Sequence, residues 1–93
     1  MADPVTVTID ADGDESEISV PAALLSALSE PGDTPAEVVA DLAVMSFAGR
    51  AHALLHHAEG EPSEELRDAE AEMMDRFEER FGVTYAEATG HSH

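Results

Sequence analysis

Ninety-three residues with 21 acidic and four basic side chains, a formal charge of −17, make one small domain whose surface repels itself. The chain has no cysteine, which excludes disulfides, thiolate-bound zinc and cysteine nucleophiles. No basic stretch followed by an apolar run opens the chain, and the apolar runs elsewhere read as short and broken, so a soluble, cytoplasmic protein with no membrane partner is expected.

In chain order, Val5, Val7 and Ile9 alternate with Thr6 and Thr8, the period-2 pattern of a half-buried strand. The acidic segment 10–15 is expected to interrupt it, with Gly13 free to take a positive φ. Ile18 and Val20 alternate with Glu17 and Ser19, which completes a β-hairpin. Pro21 suits the start of a short helix over residues 22–29 that presents Leu24, Leu25 and Leu28. Residues 30–33, Glu-Pro-Gly-Asp, read as a turn.

Thr34-Pro35-Ala36-Glu37 is a helix start with Thr as N-cap, Pro at the first helical position and Glu three residues on to close a capping box. This central helix is expected to reach about residue 58 and stop near Gly60. Ser63 caps the next, with Glu64 and Glu65 against its N-terminal dipole, Arg76 and Arg80 in its last turns and Gly82 at the C′ position. Leu66, Ala69, Met73, Met74, Phe77 and Phe81 form its apolar stripe. The expected fold is therefore α+β and predominantly helical. It comprises a β-hairpin over 1–20, the short and central helices over 21–60, and the third helix over 61–82, antiparallel to the central one. A mostly flexible tail over 83–93 follows, with a weak second capping box from Thr84 to Glu87.

The central helix stands apart in composition. From Leu42 to Ala58 it holds no Asp or Glu, and Arg50 is its only fixed charge. Val38, Leu42 and Met45 mark one face, and Val44, Phe47, Leu54 and Leu55 another. A helix apolar on every side must be covered on every side. That points to a homodimer with Leu42, Met45, Phe47, Gly49, Leu54 and Leu55 at the interface, the small residues Ala48, Gly49, Ala51 and Ala53 admitting a second backbone.

Few constellations carry chemistry. His52 and His56, at i,i+4 with His57 and Glu59 following, have a spacing that can bind zinc or copper. H-E-x-x-H is absent, however, and packing against the stripe of Val38, Leu42, Met45 and Gly49 explains both residues as well. No cofactor is expected, and His91-Ser92-His93 reads as a loose tail. Asp10, Asp12 and Asp14 with Gly13 suggest a calcium loop, but the sixth and twelfth positions counted from Asp10 are Glu15 and Pro21, where an EF-hand needs Gly and Glu. No nucleophile elbow, phosphate loop or dinucleotide fingerprint occurs, so no enzyme is expected.

The run Glu17-Ile-Ser-Val-Pro21, then Leu24, Leu25, Leu28 and Thr34–Val38, resembles a ribbon-helix-helix repressor. In that family the outward strand residues enter the major groove. Here they would be Glu17 and Ser19, and no basic residue precedes Arg50 to meet phosphate, so no nucleic-acid partner is expected. The whole chain, from Val5-Thr-Val-Thr-Ile9 to Thr89-Gly-His-Ser-His93, resembles a small uncharacterised acidic protein family of halophilic archaea. The resemblance implies cytoplasmic residence in molar salt and brings no functional residues. The leading expectation is a salt-adapted, non-enzymatic interaction module, homodimeric through the central helix and open to an unknown protein partner. The alternative is a metal-binding protein using His52 and His56.

Overall fold

A computed structural model describes residues 4–56 and 60–90. The order of elements is β1 (Val5–Ala11), β2 (Asp14–Val20), α1 (Ala22–Leu28), α2 (Pro35–His56), α3 (Glu64–Phe81) and α4 (Tyr85–Thr89). The fold is α+β and predominantly helical, as the periodicities predict. The packing falls into two compact units, 1–40 and 41–93, with the boundary inside α2.

In the first unit β1 and β2 pair antiparallel, with Val5 opposite Val20, Val7 opposite Ile18 and Ile9 opposite Ser16. The acidic segment does not interrupt the strands as expected: they run on to Ala11 and resume at Asp14. Only Asp12 (φ 53°) and Gly13 (φ 84°) turn the corner. Two successive positive φ values are what a two-residue hairpin turn matched to the strand twist requires, and Asp-Gly supplies them cheaply. The Asp10 carboxylate accepts from the Gly13 N–H at 3.2 Å and braces that turn. Val5, Val7 and Val20 are half-buried, whereas Ile9 and Ile18 stay exposed. After Pro21, whose carbonyl accepts from Leu24 and Leu25, α1 buries Leu25 and leaves Leu24 and Leu28 in solvent. The turn over 30–33 closes with an Asp33 N–H to Glu30 carbonyl bond of 3.0 Å. The Thr34–Glu37 capping box forms: Thr34 Oγ1 accepts from the Glu37 N–H (3.2 Å), and Glu37 Oε1 from the Thr34 N–H (3.3 Å).

In the second unit an ion pair and a second side-chain approach fix the direction of the long helices. Arg80 reaches Asp41 (Nε to Oδ1, 2.6 Å), and His56 Nε2 lies 4.0 Å from Glu70 Oε2. Positions rising along α2 therefore meet positions falling along α3, and the pair is antiparallel. Ser63 Oγ accepts from the Leu66 N–H at the start of α3. At its end Gly82, at φ 76°, donates to the Glu78 carbonyl over 2.8 Å, a left-handed cap that costs a residue without a Cβ little. Phe77 is fully buried, Leu66, Met73, Met74 and Phe81 are half-buried, and Ala69 is exposed. Glu70 takes the half-buried position instead of Ala69, because it lies four residues after Leu66 and three before Met73.

Within the segment expected to be mostly flexible, Tyr85–Thr89 forms a one-turn helix under a complete capping box. The Thr84 N–H and hydroxyl donate to Glu87 Oε1 (3.1 and 2.9 Å), and the Glu87 N–H donates to Thr84 Oγ1 (3.1 Å). The Thr84 backbone N–H, and then its hydroxyl, hold the Glu87 carboxyl below the usual carboxylate range. A depressed pKa contributes stability that is present above the unfolded value and is lost as pH falls through the folded one. In molar KCl, amide chemical shifts over 85–89 should report a more helical α4 than in Glu87→Gln at pH 7. The difference should vanish as pH falls below the ordinary glutamate range, and a difference unchanged at that pH would contradict the assignment.

Candidate functional site

Two features of the second unit carry functional potential. The first is the side of α2 turned toward α3 and α4. His52 and His56 are one helical turn apart, so their rings stack with centroids 4.3 Å apart at a 36° tilt. Glu70 comes to them from α3, its side chain only 16% exposed. One ligand atom from each of His52, His56 and Glu70 can be chosen so that all lie within 4.8 Å of one another. Two imidazoles and a carboxylate are a donor set suited to zinc-class ions, whereas calcium and magnesium prefer oxygen throughout.

Tyr85 completes the wall of this site. Its ring lies 5.6 Å from His52 and meets Phe77 edge-on at 5.4 Å, and Phe77 in turn packs 4.6 Å from Phe81. A Cβ added at Gly49 would stand 3.3 Å from the Tyr85 hydroxyl, so the glycine lets the tyrosine settle close against α2. His52, His56, Glu70 and Tyr85, with Met74 and Thr84, border a cleft of about 380 Å³. Glu70 and Tyr85 escape the sequence reading. Glu70 could have been found as the one acid on the α3 stripe, and Tyr85 as the residue that the Thr84–Glu87 box starts on a helix. His57, Glu59, His91 and His93 lie outside the described residues.

The second feature is the set of exposed apolar residues along the acid-free stretch of α2. Leu42 (43%), Met45 (47%), Phe47 (62%) and Leu54 (52%) are exposed, while Leu55 is half-buried. Gly49, expected at the same interface, instead lies under Tyr85 of its own chain, because i,i+3 spacing sets it beside His52. One expectation needs correcting. Pro35–His56, 22 residues with a mean hydropathy of 1.4 over its most apolar stretch, is long and apolar enough to cross a membrane by length and composition. No acid follows Asp41 in α2, and Arg50 is the one arginine among its apolar residues, so the run is not broken.

Residues 1–93 match a family of unknown function (DUF7545). No curated protein and no solved structure matches the chain.

Proposed function

The chain belongs to this family of unknown function, and we propose that it is a salt-adapted, non-enzymatic interaction module that pairs with a second copy of itself through the exposed apolar residues of α2. The observation that carries the proposal is how little of the chain is buried. Its composition is 43% apolar, yet among the described residues only Leu25, Val38, Ala48 and Phe77 form a buried core. Each large apolar side chain left in water forgoes about 1.5–3 kcal/mol. Phe47 and Leu54 on one line of α2, with Leu42 and Met45 on a second face, are therefore a driving force that can offset the entropy lost on association. The absence of any acid from Leu42 to His56 means that two −17 chains can approach along this helix without facing carboxylates. High salt favours the same contact by screening the repulsion that remains. A cytoplasm of molar salt, as in halophilic archaea, is the setting that this charge suits.

A bilayer is the other apolar surrounding that α2 could enter, and its length and hydropathy favour that reading. Against it, α2 is tied to α3 at Asp41–Arg80 and neighbours it again at His56–Glu70, and α3 exposes Glu65, Glu72, Asp75 and Glu79. Lipid around α2 would have to accommodate those carboxylates, which is costly. Light scattering in molar KCl should give a mass near twice the 9.8 kDa of one chain. A mass of one chain at micromolar concentration would exclude the dimer, and flotation with liposomes in the same buffer would favour the bilayer.

A further inference from the structure

The cleft between α2, α3 and α4 carries chemistry that self-association leaves unused. We propose that His52, His56 and Glu70 bind one Zn²⁺ ion per chain, two imidazoles from α2 and one carboxylate from α3. The ion is a clamp across the antiparallel pair, with a coordination position open to the cleft. The proposal stands apart from the dimer test at Phe47 and Leu54, which lie on a different line of α2 from the two histidines.

Geometry supports it first. Zinc bonds of 2.0–2.1 Å set tetrahedral ligands about 3.4 Å apart. The three donor atoms already lie within 4.8 Å of one another, so rotations about side-chain bonds close the set. His56, with a side chain 56% exposed, is free to make such a rotation. Glu70 supplies the second argument. A carboxylate 16% exposed on an otherwise apolar stripe is costly without a cation. His56 Nε2 at 4.0 Å is too distant for a hydrogen bond, and a metal between the two groups would bond to both. Third, Tyr85 packs beside His52, is itself backed by Phe77, and covers one flank of the site. The competing explanation is a diffuse atmosphere of cations around 21 acids. Such an atmosphere is oxygen-only and indifferent to imidazole, and molar KCl screens it.

The test uses the full chain, stripped with chelator and dialysed into molar KCl, with Co²⁺ as the spectroscopic probe and Zn²⁺ as competitor. The expected result is saturation at one Co²⁺ per chain, with the visible absorption of a low-coordinate site, and displacement by Zn²⁺ but not by equal Mg²⁺ or Ca²⁺. Affinity should fall more than tenfold in His56→Ala and in Glu70→Gln, and Zn²⁺ should raise the thermal midpoint of the unaltered chain but not of either variant. Both substitutions are at positions where circular dichroism should show the fold retained, and His52→Ala adds the third ligand. Absence of saturable binding would overturn the proposal. So would binding that Mg²⁺ displaces equally, or binding that survives in His56→Ala and Glu70→Gln, which would assign the ion to surface carboxylates or to the terminal histidines.

Discussion

Phe47→Glu is expected to leave a monomer in molar KCl where the unaltered chain is a dimer, and Leu54→Glu to do the same. Phe47 and Leu54 are seven residues apart on α2, so they lie on one line along the helix, and both are more than half exposed. In a two-fold pair each residue occurs twice in the interface. Removing burial worth about 1.5–3 kcal/mol at two copies costs about 3–6 kcal/mol. That corresponds to a dissociation constant raised by roughly two to four orders of magnitude. The introduced carboxylates also face each other across the seam and add repulsion. Because both positions are in solvent within the single chain, helix content should be kept in the monomer to the extent that the core of each unit supports it. Glu72→Gln is the control. Its pair with Arg76 (3.1 Å) is on the exposed surface of α3, and such i,i+4 pairs are worth about 0.3–0.5 kcal/mol, so neither mass nor fold should change. Sedimentation or light scattering across a concentration series reads all three variants. A unaltered-chain mass that Phe47→Glu leaves untouched would remove this helix from the interface.

The legible part of the fold is the part set by local rules. Capping boxes at Thr34 and Thr84, the Ser63 cap and the Gly82 stop depend on residues three or four apart, and each forms as the spacing predicts. The hairpin was legible in its strands but not in its turn, because an acidic run reads as a loop whereas only Asp12-Gly13 has the backbone of one. The candidate site was half legible. His52 and His56 are neighbours in sequence, but Glu70 reaches them only through the antiparallel docking of α3, a relation that no single window of sequence contains. Ala69 fits the α3 stripe in apolar character, whereas Glu70 fits it in position. Tyr85 was hidden for a related reason: its partners Gly49, His52 and Phe77 are far from it in sequence, and no local pattern announces them.

Folding is expected to require salt. Twenty-one carboxylates face four arginines, and two of those arginines are engaged in the pairs Arg76–Glu72 and Arg80–Asp41. At about 10 mM salt the Debye length is about 30 Å, so the carboxylates within each compact unit repel one another; at 1 M it is about 3 Å and only adjacent charges interact. The opposing term is small. Screening also weakens Arg80–Asp41, but an ion pair of partly exposed groups contributes only about 0.2–1 kcal/mol. Apolar burial sets a small core against the repulsion, since the buried side chains among the described residues are Leu25, Val38, Ala48 and Phe77. Far-UV circular dichroism should therefore show helix content rising cooperatively as KCl approaches molar concentration. Screening and the salting-out of apolar groups both predict that rise, and acid distinguishes them. Lowering the pH toward the sequence pI of about 4.2 removes net charge without adding salt. If repulsion is the obstacle, dilute protein near that pH should gain helix in low salt, whereas if salting-out drives folding it should not. A chain equally helical and equally heat-stable at about 10 mM and at molar KCl would show that the carboxylates do not oppose the fold, and the argument for salt adaptation would fail with it.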